Sequence, residues 1–160
     1  MNFLYRIILK IHTICTEIRG KAYIEICKSR GLKVGKDVVF IEAPKFGSEP
    51  YLIEIGDRTK ITANCTFINH DGAMYTIRSM EKYRDARNFG RIKIGHNCFI
   101  GNNCTILPGV EMGDNCILGA GSVLSSSTPP NSVFAGTPAK FICTIEQYGD
   151  KALENNVIYP

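Results

Sequence analysis

The sequence has no tryptophan and only three histidines among its 160 residues. Its seven cysteines include no CxxC pair and their number is odd, which disfavours both a zinc site and a disulfide framework. No stretch reaches the roughly 18 uninterrupted apolar residues that a membrane span needs. The apolar N-terminus also lacks the small-residue cleavage site of a secretory signal. We therefore expect a cytoplasmic protein.

The charge distribution does not suit a nucleic-acid partner. Basic residues exceed acidic ones by 19 to 15, and eight of the basic residues lie within residues 1–37. A nucleic-acid-binding domain usually spreads a basic stripe across its fold, so no nucleic-acid partner is expected. With 44% hydrophobic and 21% charged residues, the composition is typical of one globular domain.

A six-residue repeat dominates the second half of the sequence. From Ile94 it reads IGHNCF, IGNNCT, ILPGVE, MGDNCI, LGAGSV and LSSSTP. The first position is always aliphatic, and the second is glycine in four of the six hexapeptides. An earlier block, IGDRTK, ITANCT and FINHDG, keeps the same register from Ile55. The fifth position is always small or β-branched: Cys98, Cys104, Val110, Cys116, Ser122 and Thr128.

A period of six fits neither an amphipathic helix nor a simple alternating strand. It predicts short strands and turns wound repeatedly around a narrow core, which is an all-β solenoid. We expect the first and fifth positions to point inward and the glycines beside them to provide the turns. The repeat cysteines are then small core residues and not metal ligands or redox groups.

These hexapeptides resemble those of the hexapeptide-repeat acyltransferases. The resemblance covers about residues 30–145. It is most specific in the segment from Ile94 to Lys140 and in FINHDGAMY, which resembles the histidine-bearing stretch of the xenobiotic and polysaccharide O-acetyltransferase branch. It implies a left-handed parallel β-helix with about three hexapeptides per coil. It also implies a homotrimer with active sites between subunits.

The sequence divides into three parts on this interpretation. Residues 1–30 form an N-terminal amphipathic helix, residues 31–138 form the left-handed β-helix acyltransferase domain, and residues 139–160 form a C-terminal cap with a short helix. A charged segment at 71–91 breaks the period and is predicted to leave the solenoid as a loop. Two prolines within 42–52 predict an irregular excursion there.

Apolar residues three or four apart make the N-terminal helix amphipathic. One interpretation packs its apolar face against the solenoid or a neighbouring subunit. The other places it on a membrane surface as a peripheral contact.

His70 is the candidate general base, because imidazole titrates close to working pH and because His70 lies where the chain leaves the first coils. The stretch Asn69–His70–Asp71–Gly72 resembles the catalytic stretch of the family, and this resemblance implies the same role for His70. Asn69 is a candidate for acceptor contact, and Asp71 for orienting the imidazole. The other two histidines, in the N-terminal helix and in a hexapeptide turn, are interpreted as structural.

The resemblance implies acetyl-CoA as the acyl donor. It places the pantetheine arm beside Gly119, Ala120 and Ser122, where small residues allow close approach. The closing segment with Thr137 and Lys140 would meet the nucleotide end, and Lys140 would supply a charge for phosphate.

The resemblance favours an acetyl-CoA-dependent O-acetyltransferase that modifies a sugar hydroxyl of a capsular polysaccharide, exopolysaccharide or related glycan by direct transfer. The first alternative is an acetyltransferase acting on another small acceptor, such as an amino sugar or an antibiotic. The second is a non-catalytic β-helix scaffold. The zinc-dependent carbonic anhydrases of the same fold bind their metal through three histidines. Only two histidines of this sequence lie in the predicted solenoid, so that activity is not expected.

Overall fold

The computed structural model describes residues 3–154, in which the chain passes through three parallel sheets in a repeating order. The α-helices in this range are α1 (Phe3–Ser29), α2 (Met74–Ile77) and α3 (Ile145–Glu154), and 3-10 turns span Pro50–Leu52 and Glu81–Tyr83. The strands are β1 (Lys33–Val34), β2 (Val39–Phe40), β3 (Ile53–Ile55), β4 (Lys60–Ile61), β5 (Thr66–Phe67), β6 (Ile92–Ile94), β7 (Phe99–Ile100), β8 (Thr105–Ile106), β9 (Glu111–Met112), β10 (Ile117–Leu118), β11 (Val123–Leu124), β12 (Ser132–Gly136) and β13 (Ala139–Thr144).

Each sheet collects one strand from each successive coil. Sheet A has the order β1-β3-β6-β9, sheet B the order β2-β4-β7-β10-β12-β13, and sheet C the order β5-β8-β11. All neighbours are parallel except β12 and β13. In the later coils, paired residues lie 18 positions apart, as in Lys93 with Glu111 and Thr105 with Val123. One coil is therefore three hexapeptides.

The interior of the coils matches the predicted register. The first positions of the hexapeptides from Ile94 to Leu124 are buried, and so are the fifth positions. The earlier block agrees, because Ile55, Ile61 and Phe67 are buried as well. Two-residue strands can expose one side chain and bury the next, so a short hexapeptide suffices to fill a narrow column.

The glycines at the second position act differently from the prediction. A Cβ at Gly101 would lie 2.5 Å from the backbone nitrogen of Ala120 in the next coil, and one at Gly113 equally close to that of Pro130. These glycines therefore allow close approach between coils. Backbone with positive φ occurs at the fourth position of the hexapeptide instead, as at Asn103 (59°), where asparagine tolerates the left-handed region.

The repeat cysteines are buried between coils, as predicted. The Cys104 thiol donates to the carbonyl oxygen of Gly119 at 3.1 Å, and the Cys98 thiol donates to that of Gly113 at the same distance. Burial raises the pKa of the Cys98 thiol to about 11. A thiol that stays protonated and hydrogen-bonded in this way is a structural group.

The segment 42–52 is less of an excursion than predicted. It forms no strand, but Lys45 makes a parallel bridge with Thr66 and the Phe46 side chain is fully buried. The ring of Phe46 packs against that of Phe67, with centroids 5.3 Å apart. Because Lys45 pairs with Thr66 of sheet C, the segment forms the sheet C side of the first coil. The buried ring of Phe46 fills the end of the core there.

The C-terminal part contains the predicted short helix, but that helix begins later than residue 139. Strand β12 continues sheet B beyond the hexapeptides, and residues 139–144 form the antiparallel strand β13 instead of helix. Helix α3 begins only at Ile145, and none of its residues is buried in this chain. The hairpin of β12 and β13 therefore closes the edge of sheet B, while the last predicted cap residues lie outside the described range.

Helix α1 contacts the solenoid only through its C-terminal half. Ile24 and Cys27 are buried against the first coil, and the Phe46 N–H donates to the hydroxyl of Tyr23 at 3.1 Å. The large apolar side chains nearer the N-terminus are exposed in this chain. Among residues 3–154, no helix combines the length and apolarity that crossing a bilayer requires.

Candidate active site

The loop at 71–91 leaves and rejoins the coils beside His70. His70 forms an isolated antiparallel bridge with Phe89, and their rings have centroids 6.1 Å apart. The N–H of Gly90 donates to the carbonyl oxygen of Asn69 at 2.9 Å. These contacts bring the two ends of the loop together, and the His70 side chain lies at the base of the loop.

The loop does not disturb the coils beneath it. Thr66 in β5 pairs with Thr105 in β8, 39 residues later instead of 18. The 21-residue difference equals the length of the loop. Sheet C therefore keeps its register across the insertion.

The imidazole of His70 has a carboxylate partner that sequence reasoning missed. Its Nδ1 lies 2.8 Å from Oε2 of Glu49. The Glu49 side chain is 18% exposed and that of His70 is 43% exposed, so the pair is half-shielded from water. Because an ionised carboxylate can only accept, Nδ1 carries the proton and the lone pair of Nε2 is left available.

The surroundings of Glu49 keep it ionised. Desolvation raises its carboxyl pKa, but hydrogen bonds from Ser48 and His70, together with the electrostatic attraction of the His70 ring, outweigh this, so the pKa is lowered overall. A carboxylate with a lowered pKa remains an acceptor throughout the physiological pH range. It can hold one imidazole tautomer and stabilise the imidazolium that forms when Nε2 takes a proton.

The sequence carried one indirect signal for this pair. Lys45 stacks on Thr66 in the next coil, 21 residues later, and Glu49 and His70 have the same separation. Because 42–52 is interpreted from sequence as an irregular excursion, this segment is not aligned there with the following coil. The shared separation of 21 residues is therefore not recognised from sequence.

Asn69 is placed differently from the prediction of acceptor contact. Its side chain is fully buried, and Nδ2 donates to the carbonyl oxygens of Phe46 at 3.1 Å and Glu49 at 2.7 Å. Its Oδ1 is also buried and has no hydrogen-bond partner within the described chain. Asn69 therefore holds the backbone that carries Glu49 and presents no polar atom to a ligand at the surface.

Asp71 does not orient the imidazole as predicted. Its Oδ1 accepts a hydrogen bond from the N–H of Ala73 at 2.8 Å, and its own N–H donates to the carbonyl oxygen of Asn88. This is a turn at the start of the loop. Successive residues on an extended chain point opposite ways, so Glu49 from the preceding coil occupies the position that was predicted for Asp71.

The structure brings the two predicted donor-binding segments together. The hydroxyl of Thr137 donates to the carbonyl oxygen of Gly121 at 3.3 Å, and the N–H of Gly119 donates to that of Phe134 at 2.8 Å. Ala120, Thr137 and Lys140 have exposed side chains on this surface. We call this surface, formed by residues 119–121 and 136–140, the closing corner.

Ser122 belongs to the interior of that corner. It is fully buried, its hydroxyl donates to the carbonyl oxygen of Gly119, and it accepts the N–H of Gly136 at 3.0 Å. The small size that suggested a cofactor contact is instead required by the core. The buried side chain of Ser122 therefore cannot make the predicted contact with the cofactor.

His70 and the closing corner lie at different corners of the triangular coil. His70 follows strand β5 of sheet C, whereas Ala120 follows strand β10 of sheet B. Two open depressions of about 340 and 380 Å³ lie on the outer face of sheet A, and His70 lines neither of them. Within a single chain, His70 and the closing corner are therefore separate surfaces.

The sequence matches one family model. Residues 91–126 match the model described as bacterial transferase hexapeptide (six repeats). Protein CapG of Staphylococcus aureus is 48% identical over 127 residues, which cover 78% of this chain and 73% of that protein. The galactoside O-acetyltransferase of Escherichia coli is 36% identical over 94 residues, 59% of this chain but only 45% of that protein.

Solved structures agree on the fold. The maltose O-acetyltransferase of Clostridium difficile 630 superposes with a TM-score of 0.59 at 24% identity, covering 75% of this chain and 73% of that one. The repeat, the stacked sheets and the relatives lead to the same conclusion. The chain belongs to the hexapeptide-repeat acyltransferase family and is an acetyltransferase.

Proposed function

We propose that this chain is an acetyl-CoA-dependent O-acetyltransferase that modifies a sugar hydroxyl of a capsular polysaccharide, exopolysaccharide or related glycan. The observation that carries the proposal is the hydrogen bond between Nδ1 of His70 and the carboxylate of Glu49, which leaves Nε2 of the neutral imidazole free at the base of the loop. A sugar acceptor is supported by the names of two relatives, the galactoside and maltose O-acetyltransferases.

The reaction needs one base and no acyl-enzyme intermediate. Nε2 of His70 takes the proton of the acceptor hydroxyl as the oxygen attacks the thioester carbonyl. The tetrahedral intermediate collapses, the C–S bond breaks, and the thiolate of CoA takes the proton back from Nε2. Direct transfer agrees with the burial of the repeat cysteines, which leaves no nucleophilic thiol beside His70.

The donor is placed on the closing corner in this proposal. Gly119 and Ala120 allow the pantetheine arm to approach the backbone closely, and Thr137 and Lys140 lie at the exposed side of the hairpin. The Lys140 ammonium is a suitable point charge for a phosphate group.

A homotrimer of left-handed β-helices would complete the site. Because His70 and the closing corner lie at different corners of one coil, a neighbouring subunit is needed to bring a second closing corner to His70. We also propose a cytoplasmic location, because all seven cysteines are free and free thiols are typical of reducing compartments.

Calorimetric titration with acetyl-CoA tests the donor assignment. We expect saturable binding with about one site per chain, weakened by Lys140→Gln. The matched control is Lys151→Gln, which removes the same charge from the last turn of α3, outside the residues that form the closing corner. Absence of binding at millimolar acetyl-CoA would overturn the proposal and favour a scaffold.

A thiol-release assay then identifies the acceptor. We expect CoA release with galactosides or other sugars that carry free hydroxyls. Release only with amino sugars or antibiotics would replace the glycan acceptor with the alternative of a small acceptor, while keeping the acyltransferase assignment.

Glu49→Gln tests the role of the carboxylate as a positioning group. The amide can donate as well as accept, so it no longer fixes the proton on Nδ1 of His70. We expect kcat to fall at least about tenfold with little change in acetyl-CoA affinity, since loss of the correct tautomer is severe in related catalytic pairs. Nitrogen-15 NMR of the imidazole should show the Nδ1–H tautomer in the wild type and a mixture in the variant.

The matched control is Glu54→Gln, which breaks the exposed ion pair of Glu54 with Lys33 on sheet A. This variant should keep wild-type kcat. An unchanged kcat and tautomer in Glu49→Gln would show that the carboxylate does not position His70.

A further inference from the structure

Helix α1 leaves a continuous apolar stripe exposed along its N-terminal half. The side chains of this stripe are between 40% and 62% exposed: Leu4, Ile7, Ile8, Ile11, Ile14 and Ile18. They recur at spacings of three and four, so they share one face of the helix. We call this set the α1 stripe.

The α1 stripe faces away from the solenoid. Ile24 and Cys27 are the helix residues buried on the first coil. Cys27 lies nine residues after Ile18, about two and a half helical turns, so the two side chains point in opposite directions. The face that packs on the coil is therefore not the face that carries the stripe.

Basic residues border the stripe on both sides. At about 100° per residue, Lys10 and Lys21 project near one edge, with Glu17 beside them, and Arg19 projects near the other. From Phe3 to Ala22 the helix has four basic residues, the fourth being Arg6, and a single acidic residue, Glu17. The hydrocarbon stems of lysine and arginine can lie along an apolar surface while their charges reach outward.

We propose that the α1 stripe binds the surface of an anionic phospholipid bilayer, with the helix lying in the plane of the interface. The stripe supplies apolar area, and the bordering ammonium and guanidinium groups match the negative charge of lipid phosphates. The described helix cannot span the bilayer, so the contact is peripheral. This inference goes beyond the proposed acyl transfer and does not depend on it.

The charges favour a lipid surface over a second copy of the helix. The spacing of Ile7, Ile11, Ile14 and Ile18 would also fit the seam of a coiled coil. A coiled coil is stabilised when opposite charges border its seam in matching numbers. Here one edge carries Lys10, Lys21 and Glu17 and the other carries Arg19, so both edges are net positive. Copies aligned along this stripe would repel one another, but anionic headgroups would be attracted.

Cosedimentation with vesicles tests the proposal on the full chain. We expect binding to vesicles that contain about a third phosphatidylglycerol and little binding to pure phosphatidylcholine. Each nearby basic residue contributes about fivefold to binding at such a surface, so Lys10→Gln with Lys21→Gln should weaken binding by more than tenfold. Ile14→Glu should weaken it at least about tenfold through lost apolar burial alone.

The matched control is Thr13→Glu, which adds the same charge on the face of α1 opposite the stripe. It should retain most of the binding. Circular dichroism and acetyl-CoA titration of each variant establish whether the solenoid is still folded. This check matters most for Lys21→Gln, because Lys21 lies beside Val34 and Phe40 of the first coil.

Cys15 offers a native reporter on the same face of the helix, next to Ile11 and Ile18 of the stripe. It is exposed, and apart from the half-buried Cys143 the other cysteines are buried. In a Cys143→Ser background, an environment-sensitive dye on Cys15 should shift its emission to the blue only when anionic vesicles are added. Unlabelled protein in the sedimentation assay controls for an effect of the dye.

Two results would overturn the proposal. One is failure of the wild type to sediment with anionic vesicles. The other is a blue-shifted dye without vesicles, together with a molar mass that falls in Ile14→Glu by light scattering. That second result would show that another copy of the chain covers the stripe.

Discussion

His70→Ala is expected to lower the turnover of acetyl transfer by about a thousandfold, within the range that one general base contributes. The variant removes Nε2, the only group the proposed reaction uses to accept the hydroxyl proton. Affinity for acetyl-CoA should stay within a few-fold of the wild type, because the donor is placed on the closing corner. Steady-state kinetics and calorimetric titration measure the two quantities separately.

His96→Ala is the matched control for that variant. His96 is also exposed in the solenoid, and its Nδ1 accepts the N–H of Asp57 at 3.0 Å in a turn between coils. Its loss should leave kcat nearly unchanged. If His70→Ala kept more than a few per cent of wild-type turnover, His70 would not be the base.

Cys104→Tyr is expected to unfold the coils or lower the melting temperature by more than about 10 °C. Cys104 is fully buried, and its thiol lies 3.1 Å from the carbonyl oxygen of Gly119 in the next coil. Adjacent strands are only about 4.8 Å apart along the stack, so a phenol ring has no space between layers. Overpacking of a close-packed core typically costs about 1–3 kcal/mol and more for large additions, and each kcal/mol shifts the melting temperature of a domain of this size by about 2–4 °C.

Thermal denaturation followed by circular dichroism measures this loss. Cys15→Tyr makes the same replacement at an exposed position of α1 and should melt with the wild type. A Cys104→Tyr protein of normal stability would mean that the interior accommodates a ring, contrary to the packing of its layers.

The core could be predicted because the repeat ties sequence position to spatial layer. Once Ile94 and Ile100 are assigned inward, every later hexapeptide has to follow, or its strand would turn its apolar side chain to water. Local regularity of this kind needs no knowledge of distant contacts. The same argument assigned the buried cysteines and the short strands.

Contacts between coils could not be predicted from the repeat alone. The pairing of Glu49 with His70 depends on how an irregular first coil stacks on the second, which shifts the separation from 18 to 21 residues. The small size of Ser122 has two explanations in sequence, a ligand groove or a crowded interior, and only the structure separates them. The β12–β13 hairpin lies beyond the last hexapeptide, where the periodicity no longer carries information.

The way the loop is attached beside His70 has a consequence for how such proteins diversify. Its two ends meet at the bridge of His70 with Phe89, and the strands below pair as if the intervening 21 residues were absent. Insertions or deletions within the loop therefore leave the pairing of the strands untouched. Lineages can remodel the surface next to His70 repeatedly while inheriting an unchanged interior, so selectivity and folding are free to evolve on separate residues.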